Sequence, residues 1–230
     1  MKQHSRQVTS NQTGVHDNLE PVVLRNWHSE FQKPIQPHNE AAFEQLLPVI
    51  ANQPLIFDAG CGTGRSTKVI ADRFPEAHVV GLDKSLHRLE RHPAGPNRRE
   101  HHEASDASNL HLVHTDLVDF WRLAHQAGLR LARHYILYPN PWPKKQHLQR
   151  RWHGSPLLRT IIELGGELEI RSNWLLYLEE FAFALELVGQ SAVIEPIPTD
   201  SEALSAFESK YRSSGQPLWR LRATLITTSD

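Results

Sequence analysis

The feature that most constrains this chain is a turn. The apolar run Leu55-Ile56-Phe57 ends in Asp58-Ala59-Gly60-Cys61-Gly62-Thr63-Gly64. Glycines at alternate positions allow backbone paths that side chains forbid, and they let a ligand lie against the main chain. A short apolar run stopped in this way reads as a buried strand that turns sharply. A helix is predicted next over 65–74, where Pro75 stops it, and 78–82 reads as a second strand with Asp83 at its carboxyl end. Strand, helix, strand implies parallel pairing.

The alternation continues. A helix over 86–91 leads into 93–109, a stretch rich in Pro, Gly, Ser and charge that reads as a long surface loop. Strands are predicted over 110–114, 135–138 and 167–171, with helices over 117–127, 157–164 and 174–187. The last strands fall at 191–194 and 218–226, joined by a polar, partly helical connection. The predicted fold is α/β, a mostly parallel doubly wound sheet with an antiparallel C-terminal strand pair. Upstream, apolar residues over 39–50 repeat at helical spacing, and Pro48 is expected to bend or end that helix. Residues 1–33 have few clustered aliphatics and are expected to bury little. The domain organisation is therefore a partly flexible N-terminal arm over 1–38 and one α/β domain over 39–230.

Composition narrows the function classes. With 230 residues, 39% hydrophobic and 22% charged, the chain can build one ordinary core without metal or disulfide. No apolar run approaches the ~20 residues of a membrane-spanning helix. Cys61 is the one cysteine, and the polar opening residues lack the apolar stretch of a secretory signal, so a cytoplasmic protein is expected. A net charge of −1 argues against a global attraction to nucleic acid, so any RNA contact has to come from a local patch. The 15 histidines are scattered, His101 and His102 fall in the polar loop, and no metal site is expected.

A dinucleotide site uses G-x-G-x-x-G to seat a pyrophosphate, whereas this loop is G-x-G-x-G preceded by an acid. Asp58 would repel pyrophosphate but suits a positively charged group, such as the methionyl end of S-adenosylmethionine. Asp83, at the end of the next strand, is placed to accept from two ribose hydroxyls. Asp116, after the third strand, is placed for an adenine amino group. Any one of these is ordinarily a helix N-cap or turn residue. Three in register with Gly60, Gly62 and Gly64 point to S-adenosylmethionine as cofactor.

After the fourth strand stands Tyr138-Pro139-Asn140-Pro141-Trp142-Pro143-Lys144-Lys145-Gln146-His147-Leu148-Gln149-Arg150-Arg151. Its five cationic or potentially cationic groups, Lys144, Lys145, His147, Arg150 and Arg151, read either as a solvated face or, beside a reacting base, as a grip on phosphates. Trp142 and Trp152 read singly as core aromatics, with base stacking as the alternative. The segment resembles the F-P-D-P-W and K-x-x-H-x-x-R-R elements of the tRNA (guanine-N7) methyltransferases. That family's C-terminal T-x-x-E element is similar to Ser205-Ala206-Phe207-Glu208, with Gly215 and Trp219 at the family's spacing.

The resemblance covers about 55–221 and implies a Rossmann-like class I methyltransferase fold, S-adenosylmethionine as cofactor and tRNA as partner. It gives Asp58, Asp83 and Asp116 to the cofactor and Asn140 to the catalytic aspartate's position. Lys144, Arg150, Asn173, Ser205 and Glu208 fall at substrate positions. Outside the resemblance, the arm carries Arg6, Arg25 and His28, cationic or potentially cationic groups that could close over RNA. Asn140 and Asn173 replace family aspartates, and Ser205 replaces a threonine. Guanine N7 has a free lone pair, so its methylation needs no general base; the loss of carboxylates predicts weaker catalysis or altered base choice. Two other readings follow: a methyltransferase acting on adenine or a small molecule, since Asn140-Pro141-Trp142 approaches an Asn-Pro-Pro-aromatic segment, and a tRNA- and cofactor-binding homologue that has lost turnover.

Overall fold

The computed structural model describes residues 5–95 and 109–227. Seven strands, β1 (Leu55–Ala59), β2 (His78–Asp83), β3 (Leu110–His114), β4 (Arg133–Leu137), β5 (Gly166–Ser172), β6 (Val193–Pro196) and β7 (Trp219–Leu225), form one sheet. Their order is β3-β2-β1-β4-β5-β7-β6. β1 pairs in parallel with both β2 and β4, β3 and β5 extend the parallel part, and β7 runs antiparallel to β5 and to β6. The expected fold class holds. The chain reverses its direction of growth beside β1, which makes the β1 and β4 carboxyl ends the crevice where doubly wound sheets bind ligands.

Side chains alternate across the sheet. Leu55 and Phe57 of β1 join a core with α2 (Pro37–Ile50), α5 (Leu117–Gln126), α6 (Leu157–Leu164) and α7 (Leu175–Leu187), while Ile56 joins Val79, Tyr135 and Leu137 against α3 (Arg65–Arg73). Helices thus cover both faces.

The structure corrects several expectations. Residues 1–33 are not without burial: α1 (Leu19–Trp27) packs on α7, with Leu19, Val22 and Val23 buried. Leu19, Val22 and Val23 stand at i, i+3 and i+4, the spacing of one helix face. Helix α2 begins two residues before its expected start, with Pro37 in its first turn, where a missing N–H is harmless; it ends at Ile50 as expected, with Pro48 in its last turn. β4 starts at Arg133, two residues before its expected start, because His134 is buried as a neutral ring edge-on to Phe57 and Trp121; burial pushes its pKa down to about 3. β6 lies two residues later than expected and ends in Pro196 at the sheet edge, where a proline is tolerated. A short helix α4 (Leu86–Leu89) and a helix α8 (Ala206–Ser213) complete the chain. The loop expected at 93–109 lies, apart from its ends, outside the described residues, as do His101 and His102. Among the described residues no helix is long and apolar enough to cross a membrane, and no group of three His, Cys, Asp or Glu could hold a metal ion.

Candidate active site

The glycine loop rises from the end of β1 with Gly60, Gly62 and Gly64 at φ of 79°, 62° and 75°. These left-handed conformations are what the sequence spacing requires, and only glycine adopts them without strain. Gly60 and Cys61 donate their N–H groups to the Leu82 carbonyl, which pins the loop to β2.

Asp58 is fully buried beneath this loop, and its Oδ2 accepts from Ser66 Oγ at 2.6 Å and Thr67 Oγ1 at 2.8 Å. Its Oδ1 is buried without a hydrogen-bond partner among the described residues. Burial raises the Asp58 pKa from 3.8 to about 6; the two hydroxyls work against that rise and Asp83 adds to it. A buried acceptor left open at a strand end is an invitation to a donor. Gly81, opposite Asp58 in the register, matters for the same reason: a Cβ there would run into Thr67. The sequence reading missed Ser66, Thr67 and Gly81, although all three lie within the same strand, helix, strand unit.

Asp83 caps β2 nearby. Its Oδ2 accepts from the Gly62 N–H at 2.9 Å, its Oδ1 accepts from the Ser85 N–H at 2.7 Å, and Arg88 pairs with Oδ1 at 3.1 Å. Asp83 therefore ties the glycine loop to the second strand while keeping lone pairs to offer. Asp116 is the N-cap of α5, accepting from the Val118 N–H at 2.9 Å. That is the ordinary role of a lone Asp after a strand, and it leaves Oδ2 open. Cys61 is buried, and burial with the Asp58 and Asp83 charges pushes its thiol well up, which makes it a poor nucleophile.

The second wall is the corner after β4. Tyr138 and Trp142 both sit at positive φ, 54° and 46°, conformations that bulky residues adopt only when held. Asn140 is exposed between them, its Oδ1 accepting from the Trp142 N–H at 3.3 Å. Arg151 holds the Trp142 carbonyl through Nε at 3.2 Å and Nη2 at 3.0 Å. It is fully buried, ion-paired with Glu180, bonded to Gln12 Oε1 at 3.1 Å and stacked over Trp174. Glu180 also accepts from Gln12 Nε2, from the His16 N–H at 3.0 Å, and contacts His153 Nε2 at 3.1 Å. Burial works against its charge, but bonds from His153, Arg151 and Gln12 outweigh it and hold the carboxyl down to about 2.

The basic run is thus not one patch. Arg151 is an internal brace, whereas Lys144 and Arg150 are exposed, and Arg150 lies over the Trp142 ring with its guanidinium carbon 4.8 Å from the centroid. Trp142 is half-buried under that guanidinium, with His147 edge-on to it. Trp152 packs edge-on against Trp121 in the core.

The third element is α8. Ser205 is its N-cap, accepting from the Glu208 N–H at 3.1 Å. Glu208 is fully buried; both its oxygens take Arg171 Nη1, at 3.0 and 2.9 Å, and Arg212 pairs with it at 3.1 Å. Asn173 gives its amide to Gln216 Oε1 at 2.7 Å. A cavity of about 230 Å³ lies between the glycine loop, the end of β4 at Leu137 and the first turn of α8. The structure brings together Gly60, Gly62, Leu137 and Ser205 around this cavity, with Asp58 beneath the glycine loop; Asn173 and Glu208 are engaged by neighbours beside it.

A family model described as "Putative methyltransferase" matches residues 52–221. A tRNA (guanine-N(7)-)-methyltransferase from Sphingopyxis alaskensis is 22% identical, the match covering 90% of this chain and 97% of that protein. One of the same name from Treponema pallidum is 29% identical over 80% of this chain and 72% of its own length. Among solved structures, a 16S rRNA (adenine(1408)-N(1))-methyltransferase variant from Catenulisporales acidiphilia, determined with its cosubstrate SAM, superposes with a TM-score of 0.56 at 19% identity, covering 82% of this chain and 93% of its own. The 16S rRNA methyltransferase KamB gives 0.55 at 17%, covering 84% and 96%. At such identities the structures speak to the fold alone. The family match spans the glycine loop, the corner and the α8 element together, and the chain belongs to this methyltransferase family as a divergent relative of proteins named tRNA (guanine-N7) methyltransferases.

Proposed function

We propose that this protein transfers the methyl group of S-adenosylmethionine to N7 of a guanine in tRNA. The observation that carries the reading is that two loops follow neighbouring strands, β1 and β4: a glycine loop over a buried carboxylate with an open acceptor, Asp58 Oδ1, and a braced corner carrying Asn140. Asp58 fits a cationic methionyl group, Asp83 a ribose diol, and Asp116 an adenine amine, all through ordinary acceptor chemistry. S-adenosylmethionine, when bound, supplies an electrophilic methyl on a cationic sulfur. What remains for the protein is alignment, since the guanine N7 lone pair attacks without losing a proton. Asn140 offers an oxygen and two donors to the base, and Lys144 and Arg150 offer charge to its flanking phosphates. Asn173, Ser205 and Glu208 belong to the substrate side of this reading by resemblance, acting through the α8 element that they hold in shape. Cytoplasmic residence accords with a chain whose single cysteine can form no internal disulfide.

The test is incubation with labelled methyl donor and unmodified tRNA, followed by mass spectrometry of the nucleosides. N7-methylguanosine is expected. Label on adenine, or cofactor binding with no label at all, would replace this reading. The second of those outcomes has a structural motive: Asn140 carries no charge to stabilise the cationic base, and its oxygen already serves the Trp142 N–H. Asn140→Asp keeps that acceptor and adds the charge, so it should preserve guanine methylation or raise kcat by up to about 10-fold, a gain of ~1.4 kcal/mol in the transition state.

A further inference from the structure

Many of the described arginines are matched with acids. Arg73 pairs with Glu202, Arg122 with Asp119, Arg151 with Glu180, Arg171 and Arg212 with Glu208, and Arg220 and Arg222 with Glu195. The rim of the cavity is different. Arg65, Arg88, Arg91 and Lys210 all line it, and among the described residues no acid does. Only Arg88 has an acidic partner, Asp83; among the described residues Arg65, Arg91 and Lys210 have no ion pair. These side chains come from three separate elements, the first turn of α3, the α4 segment and the middle of α8, so their convergence is a property of the fold and not of a charged run. The first turns of α3 and α8 also face the cavity, and their free N–H groups add to the positive field.

We infer that this rim is a second phosphate-binding surface, separate from Lys144 and Arg150, which seats the backbone of the RNA substrate. A cofactor carboxylate supplies one negative charge, and a pair of helix termini or one cation would serve it. Three unmatched cations on the exposed edge, in a chain of net charge −1, call for a polyanion. Lys144 and Arg150 stand on the loop after β4, the strand next to β1, so a strand of RNA laid over these strand ends would meet both sets of cations. This inference rests on the proposed RNA substrate and adds to it the track along which the strand lies.

The experiment measures tRNA binding by the full chain against salt, for the wild type and for Arg65→Gln combined with Arg91→Gln and Lys210→Gln. All three positions are exposed, and glutamine suits a helix as well as arginine or lysine does. Arg88 is left intact because it touches Asp83. Each phosphate contact contributes about 0.7 to 0.9 to the slope of log K against log salt, so the triple variant should lose about 2 to 3 from that slope. Cofactor affinity by calorimetry should stay within about twofold of wild type. Arg130→Gln, at the amino end of β4, is the control for charge loss far from the cavity and should leave the slope unchanged. A triple variant with the wild-type slope, or one that loses cofactor affinity while keeping the slope, would overturn the inference; in the latter case the rim serves the cofactor carboxylate. If the wild type binds no tRNA, the proposed substrate has failed, and that outcome is separate from a wild type that binds while the triple variant keeps its slope.

Discussion

The glycine loop after β1 and the proline-rich corner after β4 stand side by side at the strand ends, and they are held in opposite ways. The loop is held by its own backbone: positive-φ glycines, N–H groups on the Leu82 carbonyl, and Asp83 accepting from Gly62. The corner has no such local logic. Its two positive-φ residues are bulky, and its shape depends on Arg151, which reaches Trp142 from nine residues away and is anchored on Glu180 and Gln12, 29 and 139 residues distant. A loop set by short-range geometry survives changes elsewhere. A corner set by a buried ion pair answers to the α7 helix and to the N-terminal segment.

The sharpest way to break this contrast is to remove one member of the pair. Arg151→Met leaves Glu180 charged in a site closed to water, and Glu180→Leu leaves Arg151 likewise. Breaking a buried pair from one side costs on the order of 3 to 5 kcal/mol. The double variant should cost clearly less than the sum, because both charges then go together. Urea unfolding of the three variants measures this. Strictly additive losses would mean that the two residues do not act as a unit. The pH dependence has a definite sign: the folded Glu180 pKa of about 2 lies below the ordinary 4.5, so its stabilisation is complete above 4.5 and is lost as pH falls towards 2.

The contrast also explains what could be read in advance. Glycine spacing, an acid at a strand end and alternating strands and helices are local, and the loop, the parallel pairing of β1 with β2 and the positions of Asp58 and Asp83 at strand ends follow from them. Arg150 and Arg151 are neighbours with identical side chains, yet one is exposed and the other fully buried. The difference arises because a 3-10 helix over Lys145–Arg150 turns Arg151 inward, onto an acid supplied by another element. Likewise Glu208, placed at a substrate position by resemblance, is buried against Arg171, 37 residues away, a partner that its own neighbourhood does not announce. Where a residue's partner is distant in the chain, its sequence neighbourhood says nothing of its role.

The loop has its own cost, and it sits in Asp58. Its folded pKa of about 6 lies above the unfolded 3.8, so between those values the folded chain keeps a proton that the unfolded chain releases. Stability therefore falls as pH rises from 3.8 to 6, and the deficit is fully present at pH 7, amounting to about 2 to 3 kcal/mol. Asp58→Asn should recover most of this at pH 7 and flatten the stability profile over that window. The same change removes the charge offered to a cationic ligand, so cofactor affinity should fall by at least about 10-fold. A variant that is no more stable at pH 7, or that binds the cofactor as well as wild type, would show that Asp58 is not a strained ligand-seeking carboxylate. The corner variants lose stability, and this one should gain it; opposite signs from two adjacent walls are what the comparison demands.

The smallest effect lies where the N-terminal segment meets the substrate side. Asn173 donates to Gln216 Oε1, and Gln216 Nε2 donates in turn to the Ser5 carbonyl at 2.8 Å, while the Ser5 N–H bonds Ser214 Oγ at 3.0 Å. A carboxylate at 173 cannot donate. Gln216 would have to turn its amide round to serve it, and Ser5 would then face an acceptor instead of a donor. Asn173→Asp should therefore cost about 1 kcal/mol, one net hydrogen bond, and release the start of the segment from α8. Hydrogen exchange at the Ser5 amide reads this directly, with protection expected to drop in the variant while that of the Gly62 amide, bound to Asp83, stays unchanged. Equal protection at Ser5 in both proteins would mean that the segment is fastened by its other contacts, Ser10 on the Pro143 carbonyl and Gln12 on Glu180, and that the corner alone, not the whole strand-end face, depends on the N-terminal residues.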